Sequence, residues 1–242
     1  MEPKNILEDE TIQPDRSVLL VGASGSLKTT VASLFPEPQC WIASNPGQMC
    51  GFPMHVWERL RQNKDNYVIK AVTTPYRDII DFIGKHDTNY ATWIVDDMTY
   101  LQHVFLAEKK GGKTKATYDD WGFILEWSRD IVKLTSEIKG HQVLIALEQL
   151  VKDEVEGKII GLPHVFGKFS HDLPAMVRTA LHITAQAVPK AEPKRFVHSV
   201  PDTFWNWCKD REGILGPYEP HPDWLVKFLE NKDANTNPNS NV

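Results

Sequence analysis

The chain has 242 residues, 41% hydrophobic and 24% charged, a composition that suits one large globular domain with a substantial core. A net charge of −5 excludes a globally basic nucleic-acid binder, so any contact with a polyanion has to come from local patches. No apolar run approaches the roughly 20 residues that span a bilayer, and the three dispersed cysteines (Cys40, Cys50, Cys208) form no zinc-type pair and suit a reducing compartment.

The polar, acidic opening "MEPKNILEDE" is unlike a signal peptide, which sets the expectation of a cytoplasmic protein. "SVLLVG" reads as a short apolar strand running into a Gly/Ser loop, and "KTTVASLF" as the helix that follows, stopped near Pro36. "CWIAS" and "YVIKAV" are two further strands, after which a helix begins at Pro75 with apolar spacing at Ile79, Ile80 and Ile83. "ATWIVDD" is a fourth strand ending on two acids, and a helix from Met98 carries Leu101, Val104 and Phe105 on one face. Beyond the lysine-rich "KKGGKTK", Thr117 and Asp120 read as a capping box opening a long helix to about Ile138. Its buried face is expected to hold Trp121, Ile124, Leu125, Ile131, Val132 and Leu134, and Gly140 stops it. "QVLIALEQ" is a fifth strand.

Strands alternating with helices imply a parallel sheet covered on both faces. After about Val151 the strands "RTALHITAQ" and "KRFVHSV" look antiparallel and would extend that sheet, and "DWLVKFLE" is a last short helix. The expected domain is 1–230, with a disordered Asn-rich tail at 231–242.

"GASGSLKTT" nearly fits the phosphate-binding pattern G-x-x-x-x-G-K-[ST]. Gly22 opens it, Ala23, Ser24, Gly25 and Ser26 keep the loop sterically open, Lys28 is placed to reach β- and γ-phosphates, and Thr29, followed by Thr30, offers a hydroxyl to magnesium. Leu27 stands where the pattern has glycine; if that residue needs φ > 0, leucine costs about 1–2 kcal/mol there. The bland alternative is a strand–turn–helix corner with a surface lysine. "WIVDD" argues against it, because in such proteins a later apolar strand ends in an acid that holds the metal's water shell. Asp96 fits that role. Asp97 either orients or deprotonates the attacking water or caps the next helix.

These pieces, with "SLFPEP", "DWG", "GKFSHDLP" and "WCKDREGIL" in order over residues 17–216, resemble the RecA-fold ATPases of bacteriophages, the Sak-type single-strand annealing proteins. The resemblance implies an α/β fold, a RecA-like P-loop core with a mainly parallel sheet flanked by helices and extended by antiparallel strands in the C-terminal part. It also implies ATP and Mg2+ binding, single-stranded DNA binding, DNA-stimulated and weak ATP hydrolysis, and a homo-oligomer or filament with ATP between subunits. A single-strand-binding protein is a further partner, and for a phage protein the compartment is the bacterial host cytoplasm. In this group a glutamate often follows the second strand and activates water, whereas Asn45 aligns there. Gln149 or Glu148, at the end of the fifth strand, matches the polar residue that senses the γ-phosphate; the alternative is a strand-end cap. Lys209 and Arg211 resemble the cations lent by a neighbouring subunit; the alternative is an exposed charged turn.

"KKGGKTK" matches the first DNA loop of the group, with Lys109, Lys110, Lys113 and Lys115 for phosphates, or is a solvated loop. Residues 151–169 offer a second, with Lys158 and Lys168 for phosphates and Phe166 and Phe169 for base stacking or for the core. The readings set against an annealing protein are a nucleotide-gated accessory with little turnover, such as a helicase loader or packaging factor, and a P-loop phosphotransferase. For the last, a lysine–glycine loop makes a poor Arg-rich lid.

Overall fold

The computed structural model describes residues 17–43, 62–71, 76–86, 90–152 and 157–230. Asn45, Cys50, Pro75, the segment 153–156 and the Asn-rich tail lie outside the described residues. The strands are β1 (Ser17–Gly22), β2 (Gln39–Ala43), β3 (Tyr67–Ala71), β4 (Thr92–Asp96), β5 (His141–Lys152), β6 (Ile159–Pro163), β7 (Thr179–Gln186), β8 (Lys194–His198), β9 (Lys209–Asp210) and β10 (Tyr218–Pro220). The α-helices are α1 (Lys28–Ala32), α2 (Tyr76–His86), α3 (Met98–Lys110), α4 (Tyr118–Glu137), α5 (Phe169–Ala175) and α6 (Trp224–Glu230).

The sheet runs β10-β8-β7-β1-β5-β4-β2-β3, with β6 paired to β5 and β9 to β7. From β7 through to β3 every neighbouring pair is parallel; β6, β8, β9 and β10 join antiparallel. This is the α/β layout expected, with one correction: β7 is parallel to β1, with Val18 opposite Thr179 and Gly22 opposite Ile183. The reason is burial. "TALHI" is covered on both faces, which is the environment of a parallel strand, and the chain reaches it through α5 rather than a hairpin.

Residues alternate between two cores, as a sheet covered on both faces demands. Leu19, Val21, Val95, Leu144 and Ala146 face helices α2 to α5, with Ile79, Phe105, Ile124, Ile131 and Phe169. Val18, Leu20, Ile94, Val143 and Ile145 face the other way, against Val31, Ala32 and Phe35 around α1 and Trp224, Leu225 and Phe228 of α6.

Local chemistry sets the element ends. α1 stops at Ala32 rather than Phe35, because the buried Gln39 amide donates to the carbonyls of Phe35 (2.6 Å) and Ser33 (3.3 Å) and holds the chain in a turn. α4 opens on the expected box: the Thr117 hydroxyl accepts from Asp120 N at 3.3 Å while Asp120 accepts from Thr117 N at 2.8 Å. Ile124, Ile131 and Val132 are buried as expected, but Trp121 is 39% exposed. In the first turn it lies edge-on against Phe166, with ring centroids 5.0 Å apart, and not under the sheet.

Candidate nucleotide site

β1 delivers the loop at the centre of the sheet, between β5 and β7. Gly22 has to be glycine, since a Cβ there would lie 2.6 Å from the Ile183 carbonyl oxygen and 2.9 Å from Ser26 Oγ. Gly25 turns the loop at φ 77. Leu27 sits at φ 70, ψ 20, in the left-handed region immediately before α1. The position does need φ > 0, so leucine meets the costly case.

Lys28 is 6% exposed and folds back onto its own loop. Its Nζ donates to the carbonyls of Gly22 and Ala23, both at 2.8 Å, and to Ser26 Oγ at 3.2 Å. Burial pulls this ammonium below its ordinary range, against the negative charges of Asp96, Asp97 and Glu148. Thr29, one residue on, donates its hydroxyl to Asp96 Oδ2 at 2.9 Å. Two residues far apart in sequence thus meet in the pair that the two motifs require. Burial, then the neighbouring Asp97, pushes the Asp96 carboxyl up to about 7, while the Thr29 hydroxyl and Lys28 work in the opposite sense. A hydroxyl and a carboxylate side by side are a hard, all-oxygen donor pair, which fits Mg2+ and its retained waters better than a softer metal. Among the described residues no group of three or more His, Cys, Asp or Glu could hold a metal by itself.

Asp97 caps α3: its Oδ1 accepts from Tyr100 N at 2.8 Å, with the backbone extended at φ −126, ψ 160. Burial raises its carboxyl as well. Of the two polar candidates on β5, Glu148 lies within electrostatic reach of Lys28 and Gln149 turns to β6. Gln149 donates to the Pro163 carbonyl of β6 at 3.0 Å, and it lies within β5 rather than at its end, because pairing with β6 carries the strand on to Lys152. Glu148 follows Leu147, the partner of Gly22, and its Oε2 meets His182 Nε2 at 2.7 Å across β1.

Other expected site residues are not brought to the loop. Lys209 and Arg211 belong to the β9 turn, where β9 pairs with Thr179 and Ala180 at the start of β7, the opposite end of the sheet from Gly22. Asp210 knots that turn by accepting from the amides of Glu212, Ile214 and Leu215. Burial and Arg211 push the half-buried Lys209 down to about 8. Lys109 and Lys110 form the last turn of α3, where cations suit the helix dipole. Lys109 Nζ stands 3.6 Å over the Phe123 ring, and Lys113 lies 3.7 Å from Asp120; Lys115 is exposed. The second expected DNA loop holds the paired ends of β5 and β6 and leads into α5, with residues 153–156 outside the described residues. Lys158 and Lys168 on it are exposed, but Phe169 is 0% exposed in the core and Phe166 packs edge-on against Trp121 and His103, so neither is offered for stacking.

Two residues near the loop carry no sequence signal, since only strand pairing and chain return bring them there: His182, and His221 just before α6. His221 is buried, its Nδ1 accepts from Trp224 Nε1 at 2.8 Å, and it lies by the backbone of Leu27 and Ser26. Burial, with Arg195 next, holds its imidazole down at about 4.

No protein-family model matches the chain, and no curated protein does. Among solved structures it is similar to a KaiC-like protein, PH0186, from the hyperthermophilic archaea Pyrococcus horikoshii OT3, at 14% identity over 76% of this chain and 77% of that one, with a TM-score of 0.48. Among the described residues no helix is long and apolar enough to cross a membrane.

Proposed function

We propose that the chain binds a nucleoside triphosphate with Mg2+ at this loop and works as an ATP-dependent, single-stranded-DNA-binding protein of the RecA-like kind, promoting annealing or strand pairing in phage recombination. The observation that carries the nucleotide part is the Thr29–Asp96 hydrogen bond of 2.9 Å beside the buried Lys28. A plain corner has no reason to bury a lysine or to aim a hydroxyl at a strand-end carboxylate. A bound Mg2+ would neutralise charge on the β- and γ-phosphates. Lys28 exchanges loop carbonyls for phosphate oxygens, and Thr29 and Asp96 hold the cation and its water. Lys209 and Arg211, too far along the sheet to serve their own loop, act on a neighbouring copy in an oligomer. The exposed lysines of residues 109–115 supply phosphate contacts that do not read sequence, so single-strand binding falls steeply with salt.

The test compares wild type with Lys28→Ala. ATP and Mg2+ should tighten binding of a single-stranded oligonucleotide and promote annealing of its complement, and the variant should lose both. Undiminished nucleotide binding by Lys28→Ala would remove the site assignment. A second reading, a nucleotide-gated accessory with little turnover, is favoured by Leu27 at φ 70 and by Asp97 serving as a cap. DNA-independent silence in phosphate release and in annealing, with nucleotide still bound, would select it.

A further inference from the structure

Hydrolysis needs a group that takes a proton from water at the far side of the γ-phosphate. Asp97 spends one carboxylate oxygen on the amide of Tyr100. Glu148 is placed differently. It is the residue after Leu147, which pairs with Gly22, and the Lys28 ammonium sits on the carbonyls of Gly22 and Ala23. Its carboxylate therefore stands beside the terminus of the loop where the outermost phosphate belongs, half-buried and within electrostatic reach of Lys28.

That carboxylate is aimed. His182 of β7, in register with Val21, points to the same face of the sheet, and its Nε2 lies 2.7 Å from Glu148 Oε2. Among the described residues His182 is the hydrogen-bond partner of Glu148. The imidazole has no freedom of its own. It is 3% exposed and stacks on Trp205 at 3.5 Å between ring centroids and 17° between planes, with His198 edge-on at 5.4 Å. Trp205 is fixed in turn. Its amide donates to Asp202 Oδ1, its neighbour Trp207 donates Nε1 to the Gly161 carbonyl at 2.7 Å, and its ring covers Gly161 so closely that a Cβ there would fall 2.0 Å from it. Glutamate, histidine and tryptophan thus form a three-part support ending at the loop, which a core histidine with a surface acid would not require.

We propose that Glu148 accepts the proton of the attacking water in triphosphate hydrolysis and that His182, clamped on Trp205, is the positioning residue that aims its carboxylate. The inference rests on the nucleotide reading of the loop. The water oxygen forms a bond to the γ-phosphorus as the bond from that phosphorus to the β–γ bridging oxygen breaks. The electron pair leaves with the nucleoside diphosphate, and the water proton passes to Glu148 and from there to the departing phosphate or to solvent. The charged and titratable groups around Glu148 are Lys28 of the loop, Asp96 and Asp97 at the end of β4, and His182 of β7, with His198 and Asp202 behind the histidine.

The test uses the full chain, binding first and turnover second. Wild type, Glu148→Gln, His182→Phe and His182→Gln are titrated with a fluorescent ATP analogue and Mg2+, then followed for phosphate release across pH. Glu148→Gln should keep its nucleotide affinity within about threefold and lose on the order of 10²–10⁴ in kcat, the usual contribution of a proton acceptor. His182→Phe keeps a ring on Trp205 but no donor. It should lower kcat with KM and nucleotide affinity nearly unchanged, because the carboxylate loses the hydrogen bond that aims it. His182→Gln, which keeps an N–H, should recover part of the lost kcat, and it stands in if the Phe variant does not fold. The proposal is overturned if Glu148→Gln turns over like wild type, or if it loses nucleotide affinity as Lys28→Ala does. It is also overturned if His182→Phe has the wild-type kcat, or if wild type binds nucleotide without hydrolysing it. That last result leaves the nucleotide reading standing, whereas a wild type that binds no nucleotide ends both.

Discussion

At the scale of single residues, the loop carries two departures from ease, and each has a measurable sign. Leu27 is half-buried at φ 70, so its side chain contributes contact while its backbone is strained. Leu27→Ala removes the contact and keeps the strain, whereas Leu27→Gly removes both. We therefore expect Leu27→Gly to be the more stable of the two by about 1 kcal/mol, read from denaturant midpoints, which reverses the usual ranking of alanine over glycine. Asp96 titrates at about 7 when folded against 3.8 as its ordinary value. An acid raised in this way favours the protonated native state, so its contribution to stability is complete below about 4 and is lost as pH rises through 7. A cation at Thr29 and Asp96 competes with that proton. The rise in melting temperature given by Mg2+ and ATP should therefore be larger at pH 8 than at pH 6. Asp96→Asn should flatten the pH dependence without them.

At the scale of elements, the ends are set by side chains that can be removed singly. Thr117→Ala deletes half of the box that opens α4 and should cost about 1 kcal/mol in unfolding free energy, measured by chemical denaturation. That box, the apolar strands, and the paired motifs of β1 and β4 were legible in the sequence because each is local: a spacing, a cap, a run. Other features were not. "RTALHITAQ" has a polar end that reads as a half-buried antiparallel strand, yet its residues Thr179 to Ile183 are covered on both faces beside β1. The run at 151–169 reads as a basic loop because its Gly and Lys are conspicuous, whereas Val151 and Ile160 pair across a hairpin. Glu148 and His182 are 34 residues apart, and nothing but strand order tells that they face each other over β1. Pairing between distant strands depends on burial and crossover geometry, which spacing along one strand does not encode.

At the scale of the whole molecule, the sheet separates tasks along its length. The loop, Asp96 and Glu148 lie at one end, and the β9 turn with Lys209 and Arg211 at the other; under the function proposed above, a cation from that turn would reach a phosphate only from a second copy. The two cores are also unequal in what they support. One holds most of the helices; the other presses α6 against α1. Trp224 is 1% exposed there and anchors His221, so Trp224→Ala should cost about 3–5 kcal/mol and weaken nucleotide binding together with stability. Val226→Ala, on the 58% exposed side of the same helix, should stay within about 0.5 kcal/mol and leave binding intact, with thermal melts and nucleotide titration as the readouts. The backing of the loop by α6 also fixes an order of events during translation. Residues 17–32 leave the ribosome on the order of 10–40 s before the helix that closes over them, at ~5–20 residues per second. Until that helix arrives, the loop lacks the backing of His221 and Trp224.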